Sequence, residues 1–282
     1  MPGFPIIDTH LHLSDPARIS YPWIKSAPVL NRPFTIDDYR EACGDVEVEA
    51  MVFMEVDPYV DDRQEEIDFV CEVAESEPRL KGMVAQAPLE QGAAIRPELE
   101  NLANNPLIKG VRRLLQDEDV DFCLGTSFIE GVRQLPDFGI PFDICIYHRH
   151  LANVVKMVQQ CPDVQFILDH IGKPGIKDGL LEPWKSDLKN LAALPNVMCK
   201  ISGMTTEADM ENWTRDDLRP YFDHVIECFG FDRVVYGGDW FVASLATTYP
   251  RFVETLDWAV AGCSDEELKK LYRDNAQKFY RI

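Results

Sequence analysis

The sequence predicts an α/β protein folded as a single (β/α)8 barrel of the TIM type. Three observations lead there. Eight short, β-rich apolar runs recur along the 282 residues, amphipathic stretches separate them, and histidines gather where the runs end. Strand–helix alternation repeated eight times favours a closed barrel over an open doubly wound sheet. No G-x-G-x-x-G follows the first run, so the open sheet lacks its usual nucleotide-binding support.

In chain order, the expected strands are 6–12 (IIDTHLH), 50–56 (AMVFMEV), 81–87 (KGMVAQA) and 108–115 (IKGVRRLL), then 142–148 (FDICIYH), 165–171 (QFILDHI), 197–202 (VMCKIS) and 233–239 (RVVYGGD). Each is short, apolar and rich in β-branched or aromatic residues. Helical spacing appears between them. Residues 63–76 put Ile67, Val70, Cys71 and Ala74 on one face, and 151–161 do the same with Leu151, Val154, Val155 and Val158. Residues 217–229 and 250–261 behave alike. A final helix opens with Ser264-Asp-Glu-Glu267, in which Ser264 and Glu267 can cap each other reciprocally. The segment 14–34, with Pro16, Pro22, Pro28 and Pro33, reads as a long loop after the first strand. In a barrel, loops on that face build the active site. No repeat, low-complexity stretch or linker interrupts the chain, so residues 1–282 read as one domain.

Composition narrows the function. A net charge of −20 repels polyanions, which argues against nucleic acid and anionic membranes as partners. The first residues lack the basic and apolar regions of a secretory signal, and no stretch is long enough to span a bilayer. Eight cysteines stand singly without a C-x-x-C pair, as expected of reduced thiols in a cytoplasmic protein. A small-molecule substrate is the expected partner, and a homo-oligomer is compatible with the sequence.

Five of the six histidines lie at or just beyond strand ends. His10 and His12 end the first strand, His148 the fifth and His170 the sixth; His150 follows the fifth, and His224 is on a helix. His10 and His12 are two apart and share one side of their strand. Asp239 ends the eighth strand, which neighbours the first in a closed barrel. Three imidazoles and a carboxylate (His10, His12, His170 and Asp239) suit one divalent metal ion, zinc or a similar borderline cation. Taken singly, each of these residues is equally a hydrogen-bonded group at a strand end; their convergence on one barrel face is what points to chemistry. Glu55 ends the second strand, either facing substrate hydroxyls or standing as a solvated rim charge. Arg112 and Arg113 alternate, so one faces inward. Trp23 and Trp240 could stack on a ring or pack, and Ser202 could bond substrate, with packing and structural roles favoured for Trp240 and Ser202. The acidic stretches 57–66 and 117–121 read as solvated faces.

These motifs resemble a known family. D-T-H-x-H after the first strand, D-H-x-G-x-P from Asp169 to Pro174, C-K-x-S-G from Cys199 to Gly203 and G-x-D-W from Gly237 to Trp240 are similar to the amidohydrolase superfamily. More narrowly they resemble its amidohydrolase-2 sugar-lactonase group, which includes L-fuconolactone, L-rhamnonolactone and 2-pyrone-4,6-dicarboxylate hydrolases. Tyr21-Pro22-Trp23 and Gly110-Val111-Arg112 match as well. The resemblance implies a distorted barrel that opens lactone rings. It carries metal or water-positioning roles onto His10, His12, His170 and Asp239, and substrate contacts onto Trp23, Arg112 and His148. Metal use varies within the group. Many superfamily members bridge two metals with a carboxylated lysine on the fourth strand. Here Lys109 starts that strand and Lys200 is on the seventh, so at most one metal is expected.

The expected reaction is hydrolysis of a sugar-derived aldonolactone to its acid, with Asp239 as general base and His170 beside it. Arg112 or the metal would stabilise the oxyanion, and Asp239 or His148 would return a proton to the leaving oxygen. The acidic chain favours a neutral lactone over a pyrone dicarboxylate. The alternatives are a metal-free pyrone lactonase, a metal-dependent decarboxylase and a ligand-binding barrel without catalysis.

Overall fold

The computed structural model describes residues 2–282. All eight expected strands are present: β1 (Ile6–Leu11), β2 (Val48–Met54), β3 (Leu80–Gln86), β4 (Ile108–Arg112), β5 (Phe142–Ile144), β6 (Phe166–Leu168), β7 (Val197–Ile201) and β8 (Val234–Tyr236). They pair in parallel in sequence order, β1 to β8. Helices cover the outside, including the expected ones at Arg63–Ser76, Leu151–Gln160, Arg215–Phe229 and Tyr249–Ala259. Ser264 and Glu267 form the reciprocal cap at the start of Asp265–Lys269.

The barrel closes through bonds from motif to motif. The amide of Asp239 donates to the His10 carbonyl (2.8 Å), and that of His12 donates to the Trp240 carbonyl (2.6 Å). Thr9 Oγ1 donates to the Tyr236 carbonyl (2.6 Å). Asp8 ties the same seam from outside the barrel. It accepts from the amides of His10 and Gly238 and from the hydroxyls of Tyr39 and Tyr249, which belong to covering helices. A register shift between Asp8 and Leu11 turns the strand, so that Asp8 meets the helices while His10 faces the interior. Gly238 must lack a side chain here, because a Cβ would lie 2.5 Å from Asp8 Oδ2 and 2.4 Å from Tyr249 Cε2.

The barrel interior is layered. Ile7, Ala50, Ile167 and Val235 form an apolar floor with Ala276, and Val52, Met54 and Val84 pack with Tyr280. The C-terminal helix Asn275–Tyr280 therefore plugs the bottom of the barrel. Above that floor lies a buried ionic layer. Tyr280 Oη donates to Asp143 (2.7 Å), and Lys200 Nζ bridges Asp143 and Asp169 at 2.8 Å each. Arg112 continues it, bonding Asp169 (3.1 Å) and Glu55 (2.5 Å).

Two expectations need correction. β5, β6 and β8 are three residues each, shorter than expected, because the chain leaves the ladder at the carboxyl ends: His148–His150 and Asp169–Gly172 form tight turns instead. The stretch 57–66 is not simply a solvated face. Glu66 is buried and accepts the Val56 amide (3.0 Å), and Asp57 lines a cavity, as does Asp117 in the second acidic stretch. Alternation of charge along the chain does not reveal that the loop after β2 folds inward.

Candidate active site

Three strand ends deliver the expected cluster. β1 supplies His10, the position just after it supplies His12, the turn after β6 supplies His170, and the turn after β8 supplies Asp239. His170 and Asp239 both adopt left-handed backbone conformations (φ 52° and 54°) that non-glycine residues rarely hold. Gly203 leaves space for the His170 ring, since a Cβ there would sit 2.4 Å from Nδ1. All four side chains are buried.

The imidazoles surround one carboxylate oxygen. Asp239 Oδ1 lies 3.5 Å from His12 Nε2, 3.8 Å from His10 Nε2 and 3.9 Å from His170 Nε2. Two of the opposite ring nitrogens are hydrogen-bonded, and the third, on His10, lies near a carboxylate without a bond of its own. His12 Nδ1 meets the Met54 carbonyl (2.9 Å), His170 Nδ1 meets Ser202 Oγ (2.9 Å), and His10 Nδ1 faces Asp169 at 3.6 Å. Burial holds the His10 imidazole well below its ordinary pKa, reinforced by His170. Burial likewise pushes His170 down to about 4. Both rings are therefore neutral at pH 7 and keep a lone pair. For Asp239, burial acts upward, but His170, the His12 hydrogen bond and His10 outweigh it and hold the carboxyl below the usual carboxylate range.

This donor set fits a divalent ion. Donors about 2.0–2.1 Å from a tetrahedral ion stand roughly 3.3 Å apart, close to the separations here. Ligand atoms of His10, His170 and Asp239 all lie within 4.8 Å of one another. Oxygen partners behind the ring nitrogens are the usual support for metal-binding histidines. The Arg112 guanidinium also approaches His10 Nε2, at 3.5 Å.

The cluster opens into a cavity of about 330 Å³ at the carboxyl ends of the strands, the face on which barrels of this kind place their chemistry. His12, His170, Asp239, Arg112 and Trp23 line it. Trp23 comes from the long loop after β1 and donates from Nε1 to the Val56 carbonyl (2.7 Å). Glu55 is fully buried and bonded to Arg112, so it meets neither bulk solvent nor the cavity wall. His148 lies in the turn after β5, half-buried, with Nδ1 against the Lys173 carbonyl (3.0 Å), and is not among the lining residues. Of the two adjacent arginines, Arg112 ends β4 and faces inward, while Arg113, just beyond it, pairs outside with Glu90 and Glu118. Ser202 holds His170, and Trp240 packs among Phe34, Tyr39 and Phe241.

Asp57, Gln116, Tyr147 and Lys173 also line the cavity, without a motif in the sequence that marks them. Lys173 Nζ bonds Gln116 Oε1 (2.6 Å) and lies 5.3 Å from the Tyr147 ring centre. The sequence pattern also conceals the buried Asp143–Lys200–Asp169 network. An aspartate inside F-D-I and a lysine inside C-K-I are the available signals, since a charge within a buried strand needs a partner. A second recess, about 480 Å³, lies at the opposite end of the barrel among Pro141, Gln165, Asn196 and Arg233, and contains no histidine.

An eight-stranded barrel with His-x-His at the end of β1 and an aspartate after β8 carries a candidate metal-binding group at the face where barrel enzymes do their chemistry. The comparisons make the class specific: residues 7–282 match the amidohydrolase family model Amidohydro_2, and the chain belongs to that family. It is 30% identical to an L-fucono-1,5-lactonase of Burkholderia multivorans, over 98% of this chain and 96% of that one. It is 25% identical to an L-rhamnono-gamma-lactonase of Scheffersomyces stipitis, with both chains covered completely. A crystal structure of a Burkholderia multivorans amidohydrolase with bound zinc superposes with a TM-score of 0.88 at 27% identity, covering 99% of this chain and all of that one.

Proposed function

We propose that this chain hydrolyses a sugar-derived aldonolactone of the L-fucono or L-rhamnono type to the aldonic acid. The observation that carries the reading is Asp239, an ionised carboxylate set among three imidazoles on the wall of a sugar-sized cavity. The lactonase names of the two relatives support the reaction class.

His10, His12, His170 and Asp239 would hold one divalent ion, zinc being the natural choice for this donor set and the ion bound in the similar crystal structure. Such an ion, when bound, lowers the pKa of a water and polarises a carbonyl. The chain's own residues account for the rest. Asp239 takes a proton from the attacking water. The resulting hydroxide adds to the lactone carbonyl, and the Arg112 guanidinium stabilises the oxyanion. Trp23 offers an indole face to the sugar ring.

Charge selects among lactones. Arg112 and Lys173 are the lining cations, against Asp57, Asp117 and Asp239. Arg112 is already paired with Glu55 and Asp169. A neutral polyol lactone suits this wall, because the ion-paired Arg112 leaves Lys173 as the lining side-chain cation to answer a dicarboxylate. The test is a panel of L-fucono-, L-rhamnono- and L-galactonolactone against 2-pyrone-4,6-dicarboxylate, read by acid release on protein purified without chelators, with bound metal quantified. Turnover of a neutral lactone with about one ion per chain is expected. Preference for the dicarboxylate overturns the substrate, and carbon dioxide release from an aromatic acid without lactone opening overturns the reaction.

A further inference from the structure

Opening a lactone leaves an alkoxide that needs a proton as the ring C–O bond breaks. His148, one expected donor, lies off the cavity wall behind Lys173. Asp57 is on the wall. It follows β2 with a left-handed backbone (φ 53°), fixed by its amide donating to Glu55 Oε2 (2.6 Å). Its side chain is held from β3, where Gln86 Nε2 donates to Oδ1 (2.9 Å). One carboxyl oxygen is thus anchored by Gln86, on a residue that lines the same cavity as Asp239.

Resting on the lactonase reading, we propose that Asp57 is a second catalytic residue, the general acid that protonates the leaving ring oxygen in the cavity it shares with Asp239. In that step the tetrahedral oxyanion collapses, the ring C–O bond breaks, and its electron pair on oxygen takes the Asp57 proton. The products are a hydroxyl and a new carboxylic acid, which ionises. Solvent then carries the proton Asp239 took from water back to Asp57, restoring both groups.

The surroundings raise the proton affinity of Asp57. Burial and the charge of Glu55 push its carboxyl up to about 6; Asp117 adds to the rise, and Arg112 and Arg113, at the end of β4 and just beyond it, oppose it. Glu66 faces it from the helix behind. Asp239 is driven the opposite way by its imidazoles. Two carboxyls with opposed environments in one site divide naturally into acid and base.

The experiment is the pH profile of kcat for the parent, D57N and D57E on the neutral aldonolactone the parent turns over best, with folding checked by circular dichroism. The parent's kcat should fall as pH rises through Asp57's titration. D57N should lose about 100-fold in kcat with little change in KM and lack that basic limb. D57E should recover a basic limb at a shifted position, and reads the proposal even if D57N fails to fold. A D57N kcat within about twofold of the parent, or a raised KM with the limb intact, overturns the inference alone. A parent that opens no aldonolactone overturns the lactonase reading and this inference with it.

Discussion

Asp239 and Asp169, facing opposite nitrogens of the His10 ring, carry opposite duties. Asp239 is exposed to the cavity and ionised, whereas Asp143 and Asp169 are fully buried and answered by Lys200. The sequence displayed the first kind clearly, because G-x-D-W closes an apolar run at a strand end. It concealed the second kind, because the partners of Lys200 lie on other strands and no local pattern pairs them. Lys200 is a structural cation, so its loss should be felt in stability. Lys200→Met leaves two buried carboxylates short of a partner and should cost about 3–5 kcal/mol in urea unfolding, the usual penalty for breaking a buried pair. A loss under about 1 kcal/mol would mean that Arg112 and Tyr280 compensate fully.

At the scale of elements, strand starts were legible and strand ends were not. Phe166-Ile167-Leu168 and the following Asp-His-Ile form one apolar run, yet only the first three residues pair with neighbours. His170 and Ile171 have positive φ, which points the imidazole toward Asp239 at the expense of the ladder. Short helices, such as Ile36–Cys43 and Trp184–Ala192, are not singled out by the sequence pattern; their tyrosine and tryptophan, Tyr39 and Trp184, bury against other segments of the chain. The β8–β1 seam is the element on which the site depends. Gly238→Ala forces a Cβ against Asp8 and Tyr249 and should destabilise the fold by about 1–3 kcal/mol, the range typical of overpacking. Denaturant unfolding checks this, and a variant as stable as the parent would show that the seam can relax.

At the scale of the whole molecule, the charge of −20 is spread over a closed barrel in which no helix among the described residues is long and apolar enough to cross a membrane. Self-repulsion of that charge opposes compactness and is screened by salt. Thermal unfolding should therefore shift upward by a few degrees between about 10 mM and about 150 mM NaCl, as the screening length shortens from about 30 Å to about 8 Å. An unchanged or lower midpoint would mean that surface ion pairs dominate the field. The eightfold alternation made the barrel legible, and barrel closure in turn joined the two terminal motifs into one site. The central claim is that Asp239 performs proton transfer for lactone hydrolysis, and steady-state kinetics of Asp239→Asn on the preferred aldonolactone tests it most directly. The account predicts a kcat lower by at least about 100-fold with KM little changed; a near-parental kcat would contradict it.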